Sequence, residues 1–457
     1  MREPAALALW LAREWTPVLR APTLPPEALD DVIRRRAARV VRSALAAPFW
    51  RERLLQSGAG RSLVGRAARD GARFDAGVNA VRPAPLNGAE QDVLALLAQL
   101  PPTGKGELRD AAHGALAGGR VNAHWRRSRS SGSTGEPFET YFDARAWAVL
   151  KYLVKLRTRM RCGLRLTDRV AVLDAVPVHR RAASPLERMG RLRVVSVLQP
   201  AECIAQELLA FRPRVLYGLP SVLAELAPLV DAAPRPLAVH AVFTGGELLS
   251  PAVRERIGAA LAARVHDVYG TSETKEIAWE CAAGSMHVNA DVVVAEVLDE
   301  NGSRVKEGEV GALVVTSLMN AAMPLLRYRT GDRGSLRNDP CACGCVFPRL
   351  GIVSGREVET ITLPSGRRVS PYELTCAMEA VAGVRAYRIR QTAIGEFEAA
   401  IVPEGGVDTD ALRAAAVAAL RRVLEGAEVE ACLVDELPRG ARGKRVVVAA
   451  LAWAHSS

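Results

Sequence analysis

The residues best suited to chemistry begin at Ser130. Ser130, Ser131, Gly132, Ser133, Thr134 and Gly135 form an unbroken run of hydroxyl and glycine residues, closed by Glu136 and Pro137. Glycines let a backbone turn tightly and come close to a ligand. Hydroxyls and backbone N–H groups in such a loop can converge on phosphate oxygens. Upstream lie Arg126, Arg127 and Arg129; downstream, Phe138-Glu139-Thr140-Tyr141-Phe142 alternates as a strand does. A glycine-rich loop beside a strand is the outline of a phosphate cradle. It is not the P-loop signature, because Gly135 is followed by Glu136-Pro137 instead of Lys-Ser/Thr. The competing reading is a flexible Ser/Gly linker. The tight placement between a basic cluster and a strand pattern argues against it.

A second group is made of cysteines. Cys341, Cys343 and Cys345 cluster, and Glu280-Cys281 is followed by His287. Cys281, Cys341 and Cys343 offer three thiolates and His287 an imidazole, which is enough for tetrahedral zinc. The Cys-x-Cys spacing is tighter than in most zinc fingers, and Cys345 is either a substitute ligand or a spare. The alternative is a set of buried or free thiols. A disulfide framework does not suit a chain without an export signal. No partnered base marks any cysteine as a nucleophile.

Elements must position these groups. At 457 residues, the chain calls for more than one domain. Its 49% hydrophobic and 24% charged residues are those of a soluble globular protein. No apolar run approaches the ~20 residues that span a bilayer. Met1-Arg2-Glu3-Pro4 lacks a basic-then-apolar signal layout, so a cytoplasmic location is expected. The net charge of +11 would favour anionic partners. The arginines are scattered, and no helix-turn-helix, finger or aromatic RNA-binding pattern occurs, so small anions are expected as ligands and nucleic acid is not.

Residues 1–60 read as helical, with Leu29, Val32, Ile33, Ala37, Val40, Val41 and Leu45 at helical spacing in Ala28–Ala46. Its arginine-rich face could touch a membrane, but packing on the domain is the simpler reading. Gly104 to Leu108 reads as a turn into a short helix without chemistry. Ala144–Met160 is a helix candidate. Short apolar runs at 169–173, 193–198, 215–218, 239–243 and 264–268 read as buried strands. They alternate with helices at 201–211, 221–229 (capped by Ser221) and 251–263, which indicates an α/β sheet. In such sheets the loops after the strands bind ligands. Thr244-Gly245-Gly246-Glu247 and Tyr269-Gly270-Thr271-Ser272-Glu273 are loops of that kind. From about 291 to 353 the pattern becomes strands with tight turns, an antiparallel β subdomain. Residues 355–457 read as a separate α+β unit, with a hairpin at 357–370 and helices at 371–380 and 408–424. The fold class is therefore α/β plus α+β, with domains 1–354 and 355–457.

The run Ser130–Pro137 resembles the phosphate-binding loop of the adenylate-forming superfamily, which contains the acyl-CoA synthetases. Further motifs of that superfamily recur in order. Val268-Tyr269-Gly270-Thr271-Ser272-Glu273 resembles its Tyr-Gly-x-x-Glu. Arg327-Tyr328-Arg329-Thr330-Gly331-Asp332 resembles its Tyr-Arg-Thr-Gly-Asp, and Ser354-Gly355-Arg356 its domain junction. Leu437-Pro438-Arg439-Gly440-Ala441-Arg442-Gly443-Lys444 resembles the segment that carries the adenylation lysine. The resemblance covers roughly 125–457. It implies a large domain that binds ATP and acid and a small mobile lid. It also implies that Tyr269 and adjoining backbone flank adenine, Thr271 and Thr134 contact phosphate, Glu273 holds Mg²⁺, Asp332 holds the ribose, and Lys444 serves adenylation. Gly245, Gly246, Glu247, Asp267 and Arg356 complete the expected nucleotide and acid contacts.

Phe243-Thr244-Gly245-Gly246-Glu247, the stretch Asn320–Asp332 and Cys341-x-Cys343-Gly344 resemble the phenylacetate–CoA ligase-like branch and its relatives at capsular polysaccharide loci. Some members of that branch carry a structural zinc. The implied activity joins a small, aromatic or similar carboxylic acid to CoA, using ATP, Mg²⁺ and CoA. The alternatives are transfer of the acyl group to an amine, alcohol or carrier-protein thiol, and a homologue that only binds nucleotide. A homodimer is possible within the group. One departure is Val358, where the family's hinge carries Asp or Lys. Gly366-x-x-Val369-x-Pro371-x-Glu373 resembles the lid loop along the pantetheine tunnel.

Overall fold

The computed structural model describes residues 3–56, 61, 93–129, 138–178, 184–354, 361–369, 371–437 and 448–449. The chain divides into two compact units. Met1–Cys162 and Tyr269–Val353 form the first, Gly163–Val268 and Ser354–Ser457 the second.

In the first unit, the N-terminal helices are Glu3–Arg20, Pro26–Leu45 and Pro48–Gln56. The expected periodicity of the second is realised: Leu29, Ala37, Val40, Val41 and Leu45 are buried. They join Trp50, Leu54, Leu97 and Leu100 in a core with Ile277, Val293, Leu313, Val315 and Tyr328 from the strands. The strands follow the order Val293–Leu298, Gly311–Ser317, Tyr328–Arg337, Arg349–Ser354, Met286–Val288, Lys275–Glu280. Val293–Leu298, Gly311–Ser317 and Tyr328–Arg337 pair antiparallel, as the turn spacing predicted. The β region begins earlier than expected, at Lys275. Lys275-Glu-Ile-Ala-Trp-Glu280 lacks alternation because Glu276 through Trp279 are all buried.

Two details differ from expectation. The helix over 144–160 is built of Ala144–Ala148 and Val154–Arg161, with a wide π turn at Val149–Leu153 between them. Arg126–Arg129 is also a strand. It pairs antiparallel with Glu139–Phe142, from Arg126 opposite Phe142 to Arg129 opposite Glu139. The run 130–137 connects these two arms and itself lies outside the described residues.

The second unit carries a parallel sheet. Its order is Arg264–Thr271, Ala241–Gly245, Val215–Gly218, Val170–Asp174, Leu192–Ser196. Ala241–Gly245 is buried on both faces and Val215–Gly218 nearly so, because helices Ala201–Phe211, Pro220–Asp231 and Pro251–Leu261 accompany the sheet. Ser221 does not cap its helix. Pro220 starts the helix one residue sooner, Leu219 takes the cap position, and Ser221 Oγ makes no hydrogen bond. From Ile361 the unit contains the small hairpin Ile361–Thr362 with Arg368–Val369, then helices Pro371–Glu379 and Thr409–Val423. These helices pack with a four-stranded sheet ordered Glu428–Leu433, Glu396–Pro403, Val384–Ala393, Val448–Ala449. Ile361, Leu374, Met378, Ile389, Ile401, Leu412 and Leu420 form its core. The α+β reading of this part holds.

Candidate active site and metal group

Each unit carries candidate residues of its own, and those of the first start on the strand Arg264–Thr271. That strand includes Tyr269–Thr271, residues expected in a loop. A turn at 272–274 then leads into Lys275–Glu280. Gly270 is required here: a side chain would collide with the Lys275 carbonyl and lie 3.0 Å from Glu276 Cα. The turn is closed by Thr271 Oγ1, which accepts from the Thr274 amide at 3.1 Å and lies 2.9 Å from Thr274 Oγ1.

Tyr269 donates its hydroxyl to Asp332 Oδ2 at 2.6 Å. Burial, reinforced by the Asp332 charge, holds the phenol well above its usual pKa, so Tyr269 stays a donor. Thr330 steadies the aspartate, because Thr330 Oγ1 accepts from the Asp332 amide at 3.1 Å and donates to the Leu313 carbonyl at 3.0 Å. The two motifs expected to hold nucleotide thus meet directly in the structure.

Glu273 is only 5% exposed. Lys105 Nζ lies 3.3 Å from its Oε1 and 5.7 Å from the centre of the Phe138 ring. The Lys105–Asp110 helix that carries this lysine is anchored where Glu107 Oε2 accepts from the Gly104 amide at 2.7 Å. Sequence reasoning found the helix and missed the lysine. No spacing relates Lys105 to Glu273, and only the fold brings them together.

In the second unit, Thr244 to Glu247 lie at and just beyond the end of Ala241–Gly245, and Asp267 stands opposite Thr244 in the neighbouring strand. Thr244 Oγ1 donates to Asp267 Oδ1 at 3.0 Å, and the same oxygen accepts from the Val268 amide at 2.9 Å. A Cβ at Gly245 would lie 2.7 Å from the Val268 carbonyl oxygen and 3.3 Å from the Tyr217 hydroxyl, which explains the glycine. Glu247 Oε2 accepts from the Ser221 amide at 3.1 Å, in the first turn of Pro220–Asp231, where a carboxylate is favoured. Ser130–Gly135, Arg356, Val358 and Lys444 lie outside the described residues.

The cysteine reading is met by geometry. Ligand atoms of Cys281, His287, Cys341 and Cys343 all lie within 4.8 Å of one another. Cys281 and Cys341 sulfurs are 3.8 Å apart, and Cys343 Sγ is 3.3 Å from His287 Nε2. Tetrahedral zinc with Zn–S near 2.3 Å sets sulfurs about 3.8 Å apart. His287 Nδ1 is 2.9 Å from the Phe347 carbonyl. That contact fixes the tautomer and turns Nε2 toward the thiols, as in metal-bound histidines. Arg161 holds the Cys343 carbonyl at 3.1 Å. Cys345 is buried but outside the group, and burial pushes its thiol up to about 11.

Comparison with known proteins agrees with these observations. Residues 186–323 match the AMP-binding enzyme family. Over 180 residues the chain is 33% identical to phenylacetate-coenzyme A ligase of Thermus thermophilus, covering 37% of this chain and 40% of that protein. It is 27% identical to Protein CapK of Staphylococcus aureus over 134 residues, 28% of each chain. The chain spans less than two thirds of the length of the curated relatives it matches. A crystal structure of 2-hydroxyisobutyryl-CoA ligase in complex with 2-HIB-AMP superposes with a TM-score of 0.72 at 23% identity, covering 94% of this chain and 91% of that one. The fold is that of the adenylate-forming enzymes. By these comparisons the chain resembles the phenylacetate-coenzyme A ligases and Protein CapK, and its residues 186–323 match the AMP-binding enzyme family.

Proposed function

We propose that this protein is an AMP-forming ligase that joins a small, aromatic or similar carboxylic acid to CoA. The observation that carries the reading is the meeting of Tyr269 with Asp332 beside the turn that bears Thr271 and the buried Glu273. The acid's carboxylate attacks the α-phosphate of ATP, releasing pyrophosphate and leaving acyl-adenylate. The CoA thiol then gives up its proton and attacks the acyl carbon, releasing AMP.

Charge develops on phosphate oxygens during the first step and must be met by cations and donors. Ser130, Ser131, Gly132, Ser133, Thr134 and Gly135 supply hydroxyls and amides. Asp332 accepts the ribose hydroxyls, with Tyr269 fixing its carboxylate. Glu273 is a hard oxygen donor suited to Mg²⁺, whose charge would offset that of the phosphates. Lys105, already against Glu273, marks the position as one that favours positive charge. Residues 355–457 act as the lid, with Arg356 at its junction and Lys444 as its adenylation lysine. Cys281, His287, Cys341 and Cys343 hold a structural zinc.

A panel of carboxylic acids, each incubated with Mg·ATP and labelled pyrophosphate, tests the reading. Acid-dependent exchange is expected, with thioester formed once CoA is added. Exchange without thioester would move the acceptor to an amine, alcohol or carrier-protein thiol. Nucleotide binding without exchange on any acid would leave a binding protein and reject the ligase.

A further inference from the structure

We propose that Lys275 is a positioning residue that pins the phosphate-loop hairpin to the turn carrying Thr271 and Glu273; this rests on the adenylate-forming reading of 130–137 and 269–273. The hairpin formed by Arg126–Arg129 and Glu139–Phe142 is a two-stranded sheet of its own. An isolated ribbon of that size is marginal by itself, so its orientation depends on side-chain anchors. The arm after the loop is well anchored. Phe142 is buried, and Asn320 Nδ2 donates to the Tyr141 carbonyl at 2.8 Å. The arm before the loop is exposed except at Ser128.

Ser128 is where Lys275 acts. Lys275 Nζ donates to Ser128 Oγ at 2.6 Å and to the Ser272 carbonyl at 2.8 Å. Ser128 Oγ donates in turn to the same carbonyl at 3.2 Å. The ammonium also stands 4.6 Å from the Phe142 ring centre and 5.7 Å from that of Trp147. One cation therefore touches the strand before the loop, the strand after it, and the turn beside Glu273. A lysine suits this role, because its compact charge and three rotatable donors can serve several directions at once. The backbone supports the assignment. Lys275 holds φ at +69°, a strained conformation for a residue with a side chain. Such strain persists where the surroundings over-determine it, often at functional sites.

The test compares Lys275→Met, Lys275→Arg and Ser128→Ala with the parent. Pyrophosphate exchange gives the KM for ATP and for the acid separately; equilibrium dialysis gives Mg·ATP binding without turnover. Losing charge-assisted hydrogen bonds that fix a phosphate loop should raise the KM and Kd for ATP about tenfold in Lys275→Met. The KM for the acid and the unfolding midpoint should stay near the parent's. Lys275→Arg should restore most of the loss, and Ser128→Ala should reproduce part of it. Unchanged ATP affinity in Lys275→Met overturns the proposal, as does a lowered unfolding midpoint with ATP affinity unmoved. Lys275→Arg no better than Lys275→Met also overturns it. If the parent binds Mg·ATP but exchanges with no acid, the ligase reading falls while dialysis still decides Lys275. A parent that binds no nucleotide sinks both.

Discussion

Each of the two units relies internally on a different kind of contact. The first is locked by buried charge. Arg157 donates to Asp291 Oδ1 at 2.9 Å, to Asn289 Oδ1 at 2.7 Å and to the Val18 carbonyl at 2.9 Å. Arg36 reaches the other Asp291 oxygen at 3.0 Å. Asp291 is wholly buried and Arg157 is 1% exposed. This cluster ties the helices Glu3–Arg20 and Pro26–Leu45 to the strand region. The second unit contains two separate cores, one around Val222, Val242 and Ile257 and one around Ile389, Ile401 and Leu420. Polar contacts between these parts include Ser250 with Glu379 and the half-exposed pair Arg256–Glu404. In the first unit the carboxylate of Asp291 is thus enclosed by two guanidinium groups. A carboxylate facing a serine and a tyrosine can change its charge, and with it the strength of the contact.

Breaking the first arrangement should have the largest effect. Asp291→Ala leaves the buried Arg157 without its counter-charge and Arg36 with only Glu14, 3.8 Å away. We expect about 3–5 kcal/mol of destabilisation, read as a lowered urea midpoint. Asp291→Asn, which keeps hydrogen-bond acceptors, should cost less. If Asp291→Ala unfolds at the parent's midpoint, the first unit does not depend on this network.

The metal group sharpens the same contrast, because it too would hold the first unit. Cys341→Ser should abolish zinc, measured near one equivalent in the purified parent by elemental analysis. Removing the metal should cost about 1–3 kcal/mol, since the surrounding strands keep their own core. A parent free of zinc would reject the metal assignment.

What the sequence made legible follows from how local each signal is. Ala201–Phe211 and Val215–Gly218 were readable to the residue because helix period and apolar run are carried within the segment. Cys281, His287, Cys341 and Cys343 were readable because the residue types themselves name the chemistry. Lys275–Glu280 was not read as a strand, since both its faces are buried and alternation vanishes. Lys105 and Lys275 were invisible as partners. Lysine is a common surface residue, and nothing in the chain before folding sets either one beside Glu273 or Ser128. The Tyr-Gly-x-x-Glu and Tyr-Arg-Thr-Gly-Asp resemblances identified Tyr269 and Asp332, yet the bond between them appears only in three dimensions.

The smallest effect expected is at the junction in the second unit. Ser250 caps the helix Pro251–Leu261 through the Val253 amide at 3.2 Å, and its hydroxyl also donates to Glu379 Oε2. Tyr387 donates to Glu379 Oε1 at 3.3 Å, and Arg256, on the same helix as Val253, is the charged group that faces it. Burial raises the Glu379 carboxyl from 4.5 to about 7, against the opposing pull of Tyr387 and Arg256. For an acid whose pKa is raised in the folded state, the native protein holds a proton that the unfolded chain has lost. Stability should therefore fall as pH rises from about 4.5 to about 7, and level off above. Allowing for the part of Glu379 that remains in contact with solvent, the change should be roughly 1–2 kcal/mol. Glu379→Gln stays neutral at every pH and can still bond Ser250 and Tyr387. Its urea midpoint should stay flat through the window in which the parent declines. Parallel curves for the two proteins would show that Glu379 does not titrate in this contact.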